Sequence, residues 1–178
     1  MRIIAGNFKG RKLESLKGND VRPTGDKVKE AIFSMIDEYI EESVVIDLFS
    51  GTGNLGLEAL SRGAKMCYFG DNRSESIRVT KANIENCNVS EQSVVIAGSF
   101  EKVLSKIPEK ADVIFLDPPY DKEFMALCFE KIRDFEILQD GGIIVAEHGL
   151  KEKLPDVFYD FNKMKERRYG TILVSLFS

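Results

Sequence analysis

Residues 43–64 read SVVIDLFSGTGNLGLEALSRGA. An apolar run interrupted only by Asp47 leads into Gly51, Gly53 and Gly56, and then into a stretch of helical composition. A GxGxxG between a strand and a helix permits a tight turn and close approach of backbone to a ligand, while the helix N-terminus offers free N–H groups. Taken alone, the triplet also suits a nicotinamide dinucleotide. Asp47 shifts the balance, because a carboxylate at the strand end repels a diphosphate and suits a cationic ligand such as an ammonium group. Ser50, Gly51, Thr52 and Gly53 are therefore expected to line a binding loop beside Asp47.

Outward from this loop, short apolar runs recur at 66–69 (MCYF), 93–97 (SVVIA), 113–117 (VIFLD) and 142–147 (GIIVAE), separated by helix-compatible stretches. Nearly unbroken apolar strands alternating with helices predict a parallel sheet covered on both faces. The tail departs from that rhythm. VFYDFNKM (157–164) and RRYGTILVSLF (167–177) follow one another with no long helix between them, predicting a final strand pair and one antiparallel strand. Upstream, residues 2–13 hold Gly6-Asn7 and Gly10 among alternating side chains, a short β-hairpin. Residues 24–40 carry apolar side chains at three- and four-residue spacing, an amphipathic helix begun at Pro23-Thr24 or at Asp26. Nothing reads as a linker. Residues 1–178 are expected to form one domain, with a basic hairpin and helix (1–40) appended to a core (41–178).

The run at 113–117 ends in Asp117-Pro118-Pro119-Tyr120. Two prolines donate no backbone hydrogen bonds and hold φ nearly fixed, and the residue before each is kept extended. A rigid, acceptor-rich corner with an aromatic ring is suited to gripping a flat base that carries an NH₂ group. Because ligands of open α/β sheets lie outside the strand C-termini, the glycine loop and this corner are expected to share one crevice.

With 43% hydrophobic and 30% charged residues, the 178-residue chain has ordinary globular composition. No apolar run approaches the ~20 residues of a membrane span, and the N-terminus lacks a signal-peptide core. Cys67, Cys87 and Cys128 form no CxxC pair. Disulfides and metal ligation are not expected, and a cytoplasmic location is. The net charge of −4 hides a gradient: residues 1–29 hold eight Lys or Arg against three acids, so +5 sits there and −9 on the remainder. A basic end on an acidic body suggests an arm for phosphates.

The segments DLFSGTG (47–53) and DPPY (117–120), with RIIAGNFKGRKL (2–13), VRPTGDKVKEAIFSMI (21–36) and the closing RRYGTILVSLF, resemble the bacterial RsmD family over essentially the whole chain. The resemblance implies a Rossmann-like class I S-adenosylmethionine-dependent methyltransferase with a mostly parallel seven-stranded sheet and one antiparallel strand. It implies methylation of the exocyclic 2-amino group of a guanine in 16S ribosomal RNA, naked or within a small-subunit assembly particle, by a monomer. Asp117 and Pro118 would accept the amine hydrogens and Tyr120 would stack on the base. Thr24 would touch the methionine end of the cofactor, and Arg2, Lys9, Arg11, Lys12 and Arg22 would contact RNA phosphates.

Two positions depart from the family. The acid that usually ends the second strand and holds the ribose is replaced by Gly70, leaving Asp71, one residue later, or Asn72 for that role. After the third strand, Ser99 stands where an acid near the adenine amine is common, with Phe100 either flanking the ring or filling core. Within the same class, enzymes acting on adenine or on a glutamine amide often carry Asn at the position of Asp117. A dinucleotide oxidoreductase is disfavoured by Asp47, and an RNA-binding module without chemistry by retention of the whole DPPY corner. His148, the only histidine, is read as structural.

Overall fold

The apolar runs become strands of one sheet in the computed structural model, which describes residues 1–18, 24–119 and 122–178. β1 (Val44–Asp47), β2 (Met66–Asp71), β3 (Ser93–Ala97), β4 (Ala111–Leu116) and β5 (Leu138–Gly149) pair in parallel. At the C-terminal end, β6 (Val157–Phe158), β7 (Phe161–Tyr169) and β8 (Ile172–Phe177) complete the order β3-β2-β1-β4-β5-β8-β7-β6. β8 is antiparallel to both β5 and β7. The seven strands foreseen, one of them reversed, are therefore β1–β5, β7 and β8. The two-residue β6 adds an eighth at the edge. It arises because VFYDFNKM is not one strand: Tyr159 takes φ of 50° and turns the chain back, so that Phe158 faces Phe161.

The helices are α1 (Asp26–Ile36), α2 (Asn54–Ser61), α3 (Ser74–Asn86), α4 (Phe100–Lys106) and α5 (Lys122–Asp134). α1 is shorter than the 24–40 span predicted, because Ile36 leaves helical geometry and a 3₁₀ turn, Asp37–Tyr39, follows. The sheet is buried on both faces, as the unbroken apolar runs require. Val45, Val113 and Phe115 point into one apolar cluster with α1 and α2, whereas Ile46, Ile114 and Leu116 point into another with α4 and α5. Among the described residues no helix is long and apolar enough to cross a membrane.

The described residues of the N-terminal segment, 1–18 and 24–40, pack into the core. Ile3 and Leu13 are buried in the same cluster as Ile32, Phe33, Ile36 and Val45. The hairpin exists, with Ile3 N–H donating to Arg11 O (2.9 Å), Gly10 N–H to Ile3 O (2.8 Å) and Leu13 N–H to Met1 O (3.1 Å). Its ladder is short because the Ile4 and Ala5 amides turn instead to the Glu58 carboxylate on α2, at 2.9 and 3.1 Å. Lys29, counted above with the basic arm, is fully buried. Its Nζ lies 3.1 Å from Glu58 Oε2 and donates to Asn54 Oδ1 (2.7 Å) and Arg2 O (2.6 Å). Its charge is neutralised inside the protein and is not offered to a phosphate.

Candidate active site

β1 is flanked by β2 on one side and β4 on the other, so the chain order reverses there and a crevice opens beyond the strand ends. Gly51 and Gly53 take φ of 57° and 81°, conformations that glycine adopts without steric penalty. Gly56 lets α2 lie close on β2, since a Cβ there would come within 2.7 Å of Cys67 Sγ. Around this loop, Ser50 N–H donates to Gly70 O (2.9 Å), Thr80 Oγ1 to Gly51 O (3.0 Å), and the buried Asn83 amide to Thr52 O (2.9 Å). The loop is thus held from behind by β2 and α3.

Thr24, Asp47, Ser50, Gly51, Thr52, Asp71, Asn72 and Asp117 line this crevice together. Asp47 is 3% exposed and accepts the Gly56 amide at 3.0 Å. Burial, with the Asp71 charge adding to it, raises the Asp47 carboxyl to about 7 against the pull of that hydrogen bond. Asp71 is oriented by two amides, Gly51 N–H (3.0 Å) and Arg73 N–H (2.9 Å). It stands at the crevice, whereas Gly70 cannot carry an acid toward it: a Cβ at 70 would lie 2.6 Å from Val103 Cγ1 on α4.

An adjoining hollow, continuous with the first through Phe49, Asp71, Asn72 and Pro119, is walled by Phe49, Phe100 and Phe124. Ring centroids there are 5.1–6.2 Å apart. Phe100 therefore belongs both to the core and to a site wall. Ser99 also faces this hollow, but its Oγ caps α4 by accepting the Lys102 amide at 3.4 Å. Phe49 and Phe124 were not singled out from sequence. Phe49 lies inside the DLFSGTG stretch and could have been; Phe124, on α5, carried no signal.

On the other side of Asp117 lies a third hollow, lined by Pro118, Glu147, His148 and Glu152. Asp117 borders both this hollow and the glycine-loop crevice. The Asp117 side chain is exposed at the cleft, while the protein atoms packed around it partly desolvate the carboxyl. That desolvation, with the charges of Glu147 and Asp47, raises its carboxyl well above the usual range. Glu147, another residue missed in the sequence, is raised by desolvation and steadied by the Thr24 hydroxyl, which donates to its Oε2 at 2.9 Å. His148 is buried, with Nε2 2.8 Å from Ser175 Oγ, which in turn donates to Glu166 Oε2 (2.8 Å). That network fits a structural histidine.

The basic residues are dispersed. Arg2 is exposed and pairs with Asp26 at 3.3 Å, close to Thr24. Arg11 donates to Asn86 O (2.9 Å) at the end of α3, and Lys12 sits opposite Arg2 in the hairpin. Lys9 occupies the hairpin turn, where its amide donates to Gly6 O and the neighbouring Asn7 amide donates to Ser61 O at the far end of α2 from the glycine loop. None of Lys9, Arg11 and Lys12 lines the crevice. Tyr120 and Arg22 lie outside the described residues. Among the described residues no group of three His, Cys, Asp or Glu side chains could hold a metal ion.

A glycine-loop crevice at the β1/β4 switch, in a mostly parallel sheet with β8 reversed between β5 and β7, is the Rossmann-like methyltransferase architecture. The chain belongs to the family described as Conserved hypothetical protein 95, the RsmD family, whose model matches residues 1–178. It is 36% identical over 180 residues to YlbH of Bacillus subtilis, provisionally named an rRNA methyltransferase, covering 99% of this chain and 98% of that one. It is 32% identical to the Haemophilus influenzae protein named Ribosomal RNA small subunit methyltransferase D, covering 99% of this chain and 93% of that one. The solved structure of Escherichia coli yhhF, provisionally called a methyltransferase, superposes with a TM-score of 0.89 at 25% identity, covering 99% of this chain and 96% of that one.

Proposed function

We propose that this protein transfers the methyl group of S-adenosylmethionine to the exocyclic 2-amino group of a guanine in 16S ribosomal RNA. The observation that carries the reading is the position of Asp117, which borders the glycine-loop crevice on one side and the Pro118–Glu147 hollow on the other. The crevice fits the cofactor chemically. Asp47 and the turned backbone of Gly51 and Gly53 suit the cationic methionine end, Asp71 suits the ribose hydroxyls, and the Phe49–Phe100–Phe124 walls suit a purine. Bound there, S-adenosylmethionine supplies an electrophilic methyl group on a sulfonium.

The chain's own residues then have to make a poor nucleophile competent. The lone pair of guanine's 2-amino group is delocalised into the ring, and acceptors on both of its N–H bonds favour a more tetrahedral nitrogen. The Asp117 carboxylate accepts one hydrogen and the Pro118 carbonyl the other, holding the nitrogen still and stabilising the positive charge that grows on it. No proton need leave beforehand. The methylated nitrogen is strongly acidic and gives up its extra proton readily to water once the methyl group has been transferred. Tyr120 is assigned to stacking on the base, and such contacts contribute ~1–3 kcal/mol per base. A target within a paired or stacked region has to be extruded first.

The ribosomal substrate is supported by the names of the relatives, and the amine by the acceptor-rich corner. Transfer of tritiated methyl groups into small-subunit RNA, followed by mapping of the modified base, tests both. Asp117→Ala should bind the cofactor normally and lose methyl transfer by about 10²–10⁴-fold, the range for a group acting directly on the reacting atoms. Wild-type turnover in that variant removes Asp117 from the mechanism.

A further inference from the structure

The last paired residues of β4 and β5 are Leu116 and Ala146, so Asp117, just past the end of β4, stands beside Glu147, which continues β5 against β8. Neighbouring strands lie ~4.8 Å apart, and both acids line the same hollow as Pro118 and Pro119. Glu147 is held from two sides. β8 fixes its backbone through pairing with Val174, and the Thr24 hydroxyl fixes its Oε2. Among the described residues Thr24 is the group that donates to this carboxylate, so an acceptor oxygen still faces the hollow. Two carboxylates and a carbonyl form a row of acceptors, and Glu152 adds further negative charge. Such a hollow repels phosphate and calls for an edge made of donors.

Guanine has that edge. Beside its 2-amino group, with two hydrogens, ring nitrogen N1 carries a third. In adenine, N1 is an unprotonated acceptor, which would set its lone pair against the carboxylate. With Asp117 and Pro118 occupied by the amine, the donor left for Glu147 is N1–H. We propose that Glu147 reads N1–H of the target guanine and is the residue by which this site selects its base. The assignment rests on the guanine reading above.

The test compares synthetic RNAs that span the mapped target and carry there either guanine or 2-aminopurine, which keeps the 2-amino group and lacks N1–H. Wild-type enzyme should favour guanine in kcat/KM by about 10- to 100-fold, the discrimination of one good polar pair. Glu147→Gln should bring the ratio close to one, because its amide can rotate to donate to an unprotonated N1. A glutamate that only braces Thr24 would lower transfer to both RNAs alike and leave the ratio unchanged, and that result overturns the proposal. If the variant does not fold, the wild-type ratio decides alone: equal use of the two bases overturns the proposal while leaving guanine methylation intact. Absence of transfer to guanine by the wild type overturns the underlying reading, and this one with it.

Discussion

The Asp71 carboxylate accepts the Gly51 amide hydrogen at 3.0 Å, tying the end of β2 to the glycine loop. The same side chain accepts the Arg73 amide, so one acid sets the loops on both sides of the crevice. Hydrogen bonds to a charged group are worth ~1.5–3 kcal/mol. Asp71→Ala should therefore raise the dissociation constant for S-adenosylmethionine by about tenfold or more, measured by calorimetric titration. An unchanged constant would leave Asp71 a purely architectural role.

Gly70 occupies the position at which the family resemblance led to the expectation of a ribose-binding acid, and the obvious repair is Gly70→Asp. The structure predicts that the repair fails. The new Cβ would meet Val103 Cγ1 at 2.6 Å and Cγ2 at 2.9 Å, on a short branched side chain buried under α4, with the Leu48 carbonyl at 3.2 Å. Overpacking of this kind costs typically ~1–3 kcal/mol. Denaturant unfolding should show a loss of that size, with no gain in cofactor affinity. A tighter-binding, equally stable variant would mean that the end of β2 has a different register.

Asp47 gives the apo protein a signature in pH. Its carboxyl sits at about 7 when folded, against 3.8 for an ordinary aspartate. Between those values the folded chain holds a proton that the unfolded chain has released. The associated stability is present at low pH and is lost as pH rises through about 7. A cationic ligand needs the ionised form, so cofactor affinity should fall as pH drops below 7, by about tenfold between pH 8 and pH 6 for one proton. Asp47→Asn should flatten this profile. If the variant keeps the wild-type slope, the titrating group is Asp117 or Glu147.

Both the sheet and the crevice could be foreseen from residues that carry their environment in their type. Val44–Ile46 and Val113–Leu116 lack polar alternation because both faces of the sheet are covered, and Gly51, Gly53 and Pro118 report backbone constraints directly. What stayed hidden depends on partners distant in sequence. Lys29 looks like one more cation of a basic arm until Glu58 is folded against it, and Glu147 looks like a polar strand end until β4 brings Asp117 alongside. The turn at Tyr159 was missed because its positive φ falls on a residue with no intrinsic preference for it.

The Lys29–Glu58 pair decides how firmly the N-terminal segment is attached. Both side chains are fully buried, and Glu58 also accepts from the Ile4 and Ala5 amides and from Arg62 Nε at 3.0 Å. Removing one partner of a buried pair costs ~3–5 kcal/mol, because the other charge is left uncompensated. Glu58→Gln should show that loss, since Lys29 Nζ would keep only its contacts with Asn54 and the Arg2 carbonyl. Lys29→Met should cost less, because Arg62 and two amides remain on Glu58. The double variant should be clearly more stable than the summed losses predict, as residues in direct contact are non-additive. Strict additivity in the unfolding free energies would mean that the two charges do not interact.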